Sequence, residues 1–199
     1  SSFANKIIEE FMVAANSAVA KYLWENKKIP SIYRVHDVPN EERLENTLHF
    51  IYNMGYGASH DLTAILDEVR GTEHESAIST MLLRSMAKAK YSEKRLSHFG
   101  LGLDYYCHFT SPIRRLSDLA THRIISKVLI EGKRSELYAS YAKRAASAAS
   151  ECELRALGAE RRIENLYKVI YMSKNIGKEY DAIITGVSSF GFFAELQNP

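Results

Sequence analysis

Residues 135–174 carry small and apolar side chains at a spacing that alternates four and three: Ala145, Ala149, Cys152, Ala156, Ala159, Ile163, Leu166 and Ile170. That stripe predicts one long helix with a coiled-coil-like seam. The first half of the seam is small, so a neighbouring backbone can approach closely there. Upstream, residues 3–26 combine strong helix formers with a broad apolar face that includes Phe3, Ile7, Phe11 and Tyr22, widened by Ile8, Met12, Val19 and Leu23. Such a helix is expected to be buried on most sides. "IPSIYRVHDVP", bounded by Pro30 and Pro39, reads as an extended connector. Residues 40–54 and 61–69 read as two shorter helices punctuated by Gly55 and Gly57, and Thr72 caps a further helix in "TEHESAISTMLLRSMAKAK". "YSEKRLSHFGLGLDYYCHF" reads as strand and loop.

Net charge is only +2 over 199 residues, so any basic surface must be local. The two cysteines, Cys107 and Cys152, have no CxxC spacing, which argues against a zinc site and against a disulfide-built secreted domain. No apolar run reaches membrane-span length and no signal peptide opens the chain, so the reading is a soluble cytoplasmic protein. The chain starts without methionine in a helical run and stops just after a strand-like one, and so reads as a piece of a longer protein.

"CHFTSPIRRLSDLATHR" concentrates the chemistry. Ser111 is expected to cap a helix whose first position is Pro112, with Ile113, Leu116, Ala120, Ile124 and Val128 as its buried stripe and Gly132 at its end. Free amides, two guanidiniums and the Thr110 and Ser111 hydroxyls would then form a phosphate clamp at the helix start. The competing reading is an ion pair between Arg114 or Arg115 and Asp118, one turn away. His108 and His122 flank the arginines, and from the residues alone His108 reads as a structural hydrogen-bonder.

The stretch "YYCHFTSPIRRLSDLATHRII" resembles the signature of the ribonuclease II / ribonuclease R family, the RNB catalytic domain. "IIEEFMVAANSAVAKYL", "PSIYRVHDVP", "MLLRSMAKAKY", "HFGLGLDYY" and "SECELRALGAERRIENLY" resemble family segments in the same order. "GKEYDAIITGVSSFGFFAEL" resembles the first hairpin of the OB-fold RNA-binding domain that follows. The resemblance implies a processive 3′-to-5′ exoribonuclease that hydrolyses single-stranded RNA to nucleoside 5′-monophosphates, monomeric in its full-length form. It implies magnesium held by an aspartate cluster upstream of this sequence; no such cluster occurs here, no metal ligand is assigned, and the chain alone is expected to be inactive. Arg114 is the implied catalytic residue, at the scissile phosphate, with Arg115, Thr110, Ser111, Glu160 and Glu9 as RNA-binding positions. From the residues alone, Glu160 is also readable as a solvated helix acid. Glu9 shares a polar row with Asn5 and Asn16 that either lines a channel or satisfies a structural network. Leu116 and Ser117 depart from the family's usual residues after the double arginine, with little functional change expected.

The expected fold is mainly α with a minor antiparallel β component. Residues 1–176 form the helix-rich C-terminal part of an α/β RNB domain, and residues 177–199 the first hairpin of a truncated OB fold, expected to be cut short or packed on the long helix. Alternation puts Phe190 and Phe192 on one face of that hairpin and Phe193 on the other. A non-catalytic RNA-binding relative of the family is the alternative function.

Overall fold

The computed structural model describes residues 2–25, 28–57 and 61–196. Six α-helices and two antiparallel two-stranded sheets make up these residues, so the chain is mainly helical as its periodicity predicts. Two compact units form, one from Ser1–Asp37 and Lys88–Leu166, the other from Val38–Ala87 and Tyr167–Pro199.

In the first unit, helix α1 (Phe3–Glu25) is followed by strand β1 (Tyr33–Val35), which pairs antiparallel with β2 (Lys90–Ser92). The segment between the two prolines therefore holds a core strand, with Ile32, Tyr33 and Val35 all buried. Helix α5 (Leu116–Ile125) runs into a π-helical turn at Ser126–Ile130, then a 3-10 turn at Ser135–Tyr138 leads into α6 (Ala139–Ser173). Ala142, Ala145, Ala146 and Ala149 of α6 are buried in one cluster with Ala120 and Ile124 of α5 and Leu23 of α1. The four alanines on one face of α6 give this cluster a wall of small side chains.

Two expectations of burial fail here. Only Asn16, Ala20 and Leu23 of α1 are buried, and Phe3 and Phe11 are 80% and 68% exposed. Past Ala149 the seam of α6 leaves the core: Cys152, Ala156, Ala159, Ile163, Leu166 and Ile170 are exposed. Periodicity reports which residues share a face, not whether anything covers it.

In the second unit, α2 (Glu41–Asn53) is capped by the Asn40 side chain on the Arg43 amide at 3.0 Å, and α3 (Leu62–Val69) by Asp61 on the Thr63 amide at 2.9 Å. Helix α4 (Glu75–Ser85) opens at His74 without a side-chain cap; Thr72 instead donates its hydroxyl to the Val69 carbonyl. Ile51, Ile65, Val69, Ile78, Met81 and Leu82 close this core. The hairpin β3 (Ala182–Ser188) and β4 (Gly191–Leu196) packs through β3 on α4, and Ser76 donates to Glu195 at 3.2 Å. A register shift between Ile184 and Gly186 breaks the alternation. Phe190, in the turn between the strands, meets Phe193 edge-on with ring centroids 6.3 Å apart.

Candidate functional site

The sequence Thr110–Arg115 is a turn, and the helix starts after it. Helix α5 begins at Leu116 with Arg115 as its cap residue in extended conformation, and no side chain caps it. Ser111 is not the cap: its carbonyl accepts from the Arg114 and Arg115 amides at 3.3 and 3.2 Å, closing the turn. Ile113 is fully exposed and Leu116 is 44% exposed, so the buried stripe of α5 starts at Ala120 rather than Ile113.

What pulls the turn out of the helix is Asp118. Its carboxylate is fully buried and takes the Ser111 amide at 2.7 Å and Arg115 Nη2 at 3.0 Å on one oxygen. The other oxygen lies 2.9 Å from Arg115 Nε and accepts from the Ser117 hydroxyl at 3.1 Å. A carboxylate reaching back seven residues to an amide holds that amide outside the helical ladder. A buried charge also has to be paired, and Arg115 is what pairs it.

A second buried polar group fixes the other side. Asn16 of α1, 2% exposed, accepts from the Phe109 and Thr110 amides at 2.9 and 3.3 Å and donates to the Tyr106 hydroxyl at 3.3 Å. His122 of α5 bonds the Phe109 carbonyl at 2.8 Å and stacks on the Phe109 ring at 4.1 Å, with 6° between the planes. Behind them His108 Nδ1 and the Tyr91 hydroxyl share a hydrogen bond of 2.9 Å. Burial first, then the nearby Arg115 and Arg34 cations, push the His108 imidazole down to about 3, so the ring is neutral. Arg34 lies over the Tyr91 ring at 4.6 Å and pairs with Glu153 at 2.6 Å. Burial, together with the Asp118 charge, pushes the Cys107 thiol up to about 12, and its Sγ donates to the Asn16 carbonyl at 3.3 Å.

The sequence-predicted site residues thus separate. Arg115 is committed to Asp118, while Arg114 is exposed, with no hydrogen bond or ion pair to any described side chain. The Thr110 hydroxyl is buried without a partner, and Ser111 spends its amide on Asp118. Glu9 and Glu160 are exposed on α1 and α6, and neither bonds to the turn. Of the polar row on α1, Asn16 belongs to a structural network, whereas Asn5 and Glu9 face solvent. Sequence reasoning missed Asn16 as the clamp on the turn. An asparagine on an apolar helix was the signal, but its partners lie more than ninety residues away.

No group of three or more His, Cys, Asp or Glu among the described residues is placed to hold a metal ion. Asp118, the buried acid of the site, has both oxygens occupied by Arg115, Ser111 and Ser117. These residues do not form a magnesium site, and no chemical step is assigned through one here.

Residues 1–131 match the family model of the RNB domain. Ribonuclease R of Aquifex aeolicus (strain VF5) is 41% identical over 202 residues, an alignment that takes in 98% of this chain and 28% of that protein. RNase R of Mycoplasma genitalium, solved in complex with ribose methylated single-stranded RNA, superposes with a TM-score of 0.86 at 29% identity, over 97% of this chain and 32% of that one. Its complex with double-stranded RNA gives 0.81 at 28% identity, over 97% and 37%. The chain therefore spans about a third or less of the length of these relatives. With its signature turn, its helical order and this match over most of its length, the chain belongs to the RNB domain family.

Proposed function

We propose that this chain works within a 3′-to-5′ exoribonuclease that hydrolyses single-stranded RNA to nucleoside 5′-monophosphates. In this reading residues 1–176 are the helix-rich part of its RNB domain, and residues 177–199 begin an OB-fold RNA-binding domain. The observation that carries it is the division of labour between adjacent arginines. Arg115 is locked to a buried carboxylate, and Arg114 projects into solvent from the turn so fixed. A guanidinium held on a rigid turn is preorganised for charge that develops on a phosphate, and its planar fork meets two phosphate oxygens at once. In this role Arg114 contacts the scissile phosphate, and Arg115 positions the turn through Asp118. Divalent metal, normally magnesium in the family, would activate the attacking water from ligands outside the described residues. Glu9 and Glu160 would line the RNA path. Similarity to RNase R solved with single-stranded RNA supports the substrate class.

The test is the full-length protein with a 5′-labelled single-stranded RNA, with and without magnesium. Stepwise shortening from the 3′ end, dependent on magnesium, is the expected result. RNA binding without shortening under either condition would overturn the enzyme reading in favour of a non-catalytic RNA-binding relative.

A further inference from the structure

The far end of α5 carries a second concentration of positive charge. Residues 123–144 hold six cations (Arg123, Lys127, Lys133, Arg134, Lys143, Arg144) against two acids, Glu131 and Glu136. The whole chain has a net charge of only +2, so the remainder carries more acids than bases. The positive charge of this segment is local, set against a nearly neutral chain. Arg123, Lys127 and Arg144 line an open groove of about 330 Å³, together with Tyr138 and Tyr141, and no carboxylate lines it. Lys127 is held by Glu131 at 2.6 Å. Arg123 and Arg144 are exposed and have no acidic partner among the described residues.

Local structure explains only part of this arrangement. Arg123 sits in the last turn of α5, where the helix dipole favours a cation. Arg144 sits in the second turn of α6, where the dipole offers it nothing. Like charges around one groove repel unless an anion enters. The groove wall is also unusual. The α-helix expected to run on to Gly132 instead widens at Ser126, with the Glu131 amide bonding the Ser126 carbonyl at 3.0 Å five residues back. Such π-turns are rare and concentrate at functional sites.

We infer that this groove is a second RNA-binding site, at the opposite end of α5 from Arg114, where Arg123 and Arg144 hold the phosphodiester backbone without reading base identity. Phosphate contacts position a strand and carry no sequence information, which is what two guanidiniums facing an open groove provide. The inference rests on the RNA reading above, but it places the strand on residues that the signature turn does not include.

Binding is measured with the full-length protein and a fluorescent single-stranded RNA in chelator, so that no hydrolysis is needed. R123Q/R144Q is expected to weaken binding about tenfold and to lower the slope of log affinity against log salt by about 1.4, at roughly 0.7 for each single-strand phosphate contact. K94Q/K178Q, which removes two exposed cations elsewhere, is expected to leave both unchanged, and R123K/R144K to keep the wild-type slope. An unchanged R123Q/R144Q protein, or an equal loss in K94Q/K178Q, overturns the site. So does a slope in R123K/R144K as low as in R123Q/R144Q, because that loss would not follow charge. Failure of the hydrolysis test leaves these readouts standing.

Discussion

At the start of α5, Arg115 is 19% exposed at its side chain and locked to a fully buried aspartate; at its end, Arg123 is exposed and faces no carboxylate. Burying an ion pair carries a desolvation penalty that its Coulomb energy barely repays, so such a pair is weak evidence of stabilisation and better evidence of a required geometry. Exposed cations carry little such penalty and fix no geometry. The first end is therefore built to place the turn that carries Arg114, and the second for attraction. Chemistry needs the former, and holding a flexible polyanion needs only the latter.

The sharpest way to break this contrast is at Asp118. Asp118→Asn leaves the Arg115 guanidinium without its counter-charge and weakens the bond to the Ser111 amide, at a cost of about 3–5 kcal/mol. Chemical denaturation of wild-type and variant chains measures it. Asn16→Ala is next: it strips the acceptor from the Phe109 and Thr110 amides, at about 1–3 kcal/mol. Hydrogen exchange at those two amides should accelerate, while exchange in the α2–α4 helices does not.

A pH series tests the same buried network more gently. The His108 imidazole takes its proton near 6.5 when unfolded but resists it down to about 3 when folded. Between those values the unfolded chain binds more protons. The His108 contribution is therefore present above about pH 6.5 and lost as pH falls, by up to about 1.4 kcal/mol per pH unit. Burial lowers His98 in the same direction. His108→Gln should flatten the acid limb of a stability–pH curve; an unchanged limb would mean that the ring is not held neutral. The smallest effect is chemical. A thiol reagent should modify exposed Cys152 in the native protein and reach Cys107, buried and with its thiol pushed up to about 12, only on unfolding.

Much of this was legible in the residues. Asn40 and Asp61, read as the first residues of two helices, are the residues that cap them, the β-rich end is a hairpin, and the small seam of α6 buries its alanines as far as Ala149. The ordered motifs pointed to the family that the comparisons support. The turn at Thr110–Arg115 was not legible. Ser-Pro is a sound local signal for a helix start, but the Asp118 carboxylate outcompetes it from seven residues downstream and Asn16 from more than ninety upstream. Exposure was not legible either: the apolar face of α1 and that of late α6 each line one side of their own helix and are uncovered among the described residues. Local chemistry sets caps and periods, whereas burial depends on what else is folded nearby.

Arg114→Ala tests the central claim most directly. The side chain is exposed and unpaired among the described residues, so stability should change by less than about 0.5 kcal/mol. In the full-length protein, single-turnover hydrolysis of pre-bound RNA should fall by about a hundredfold or more, the scale for losing one transition-state charge contact, with RNA affinity nearly unchanged. Equal losses in rate and affinity would contradict the account, because Arg114 would then be a binding residue like Arg123.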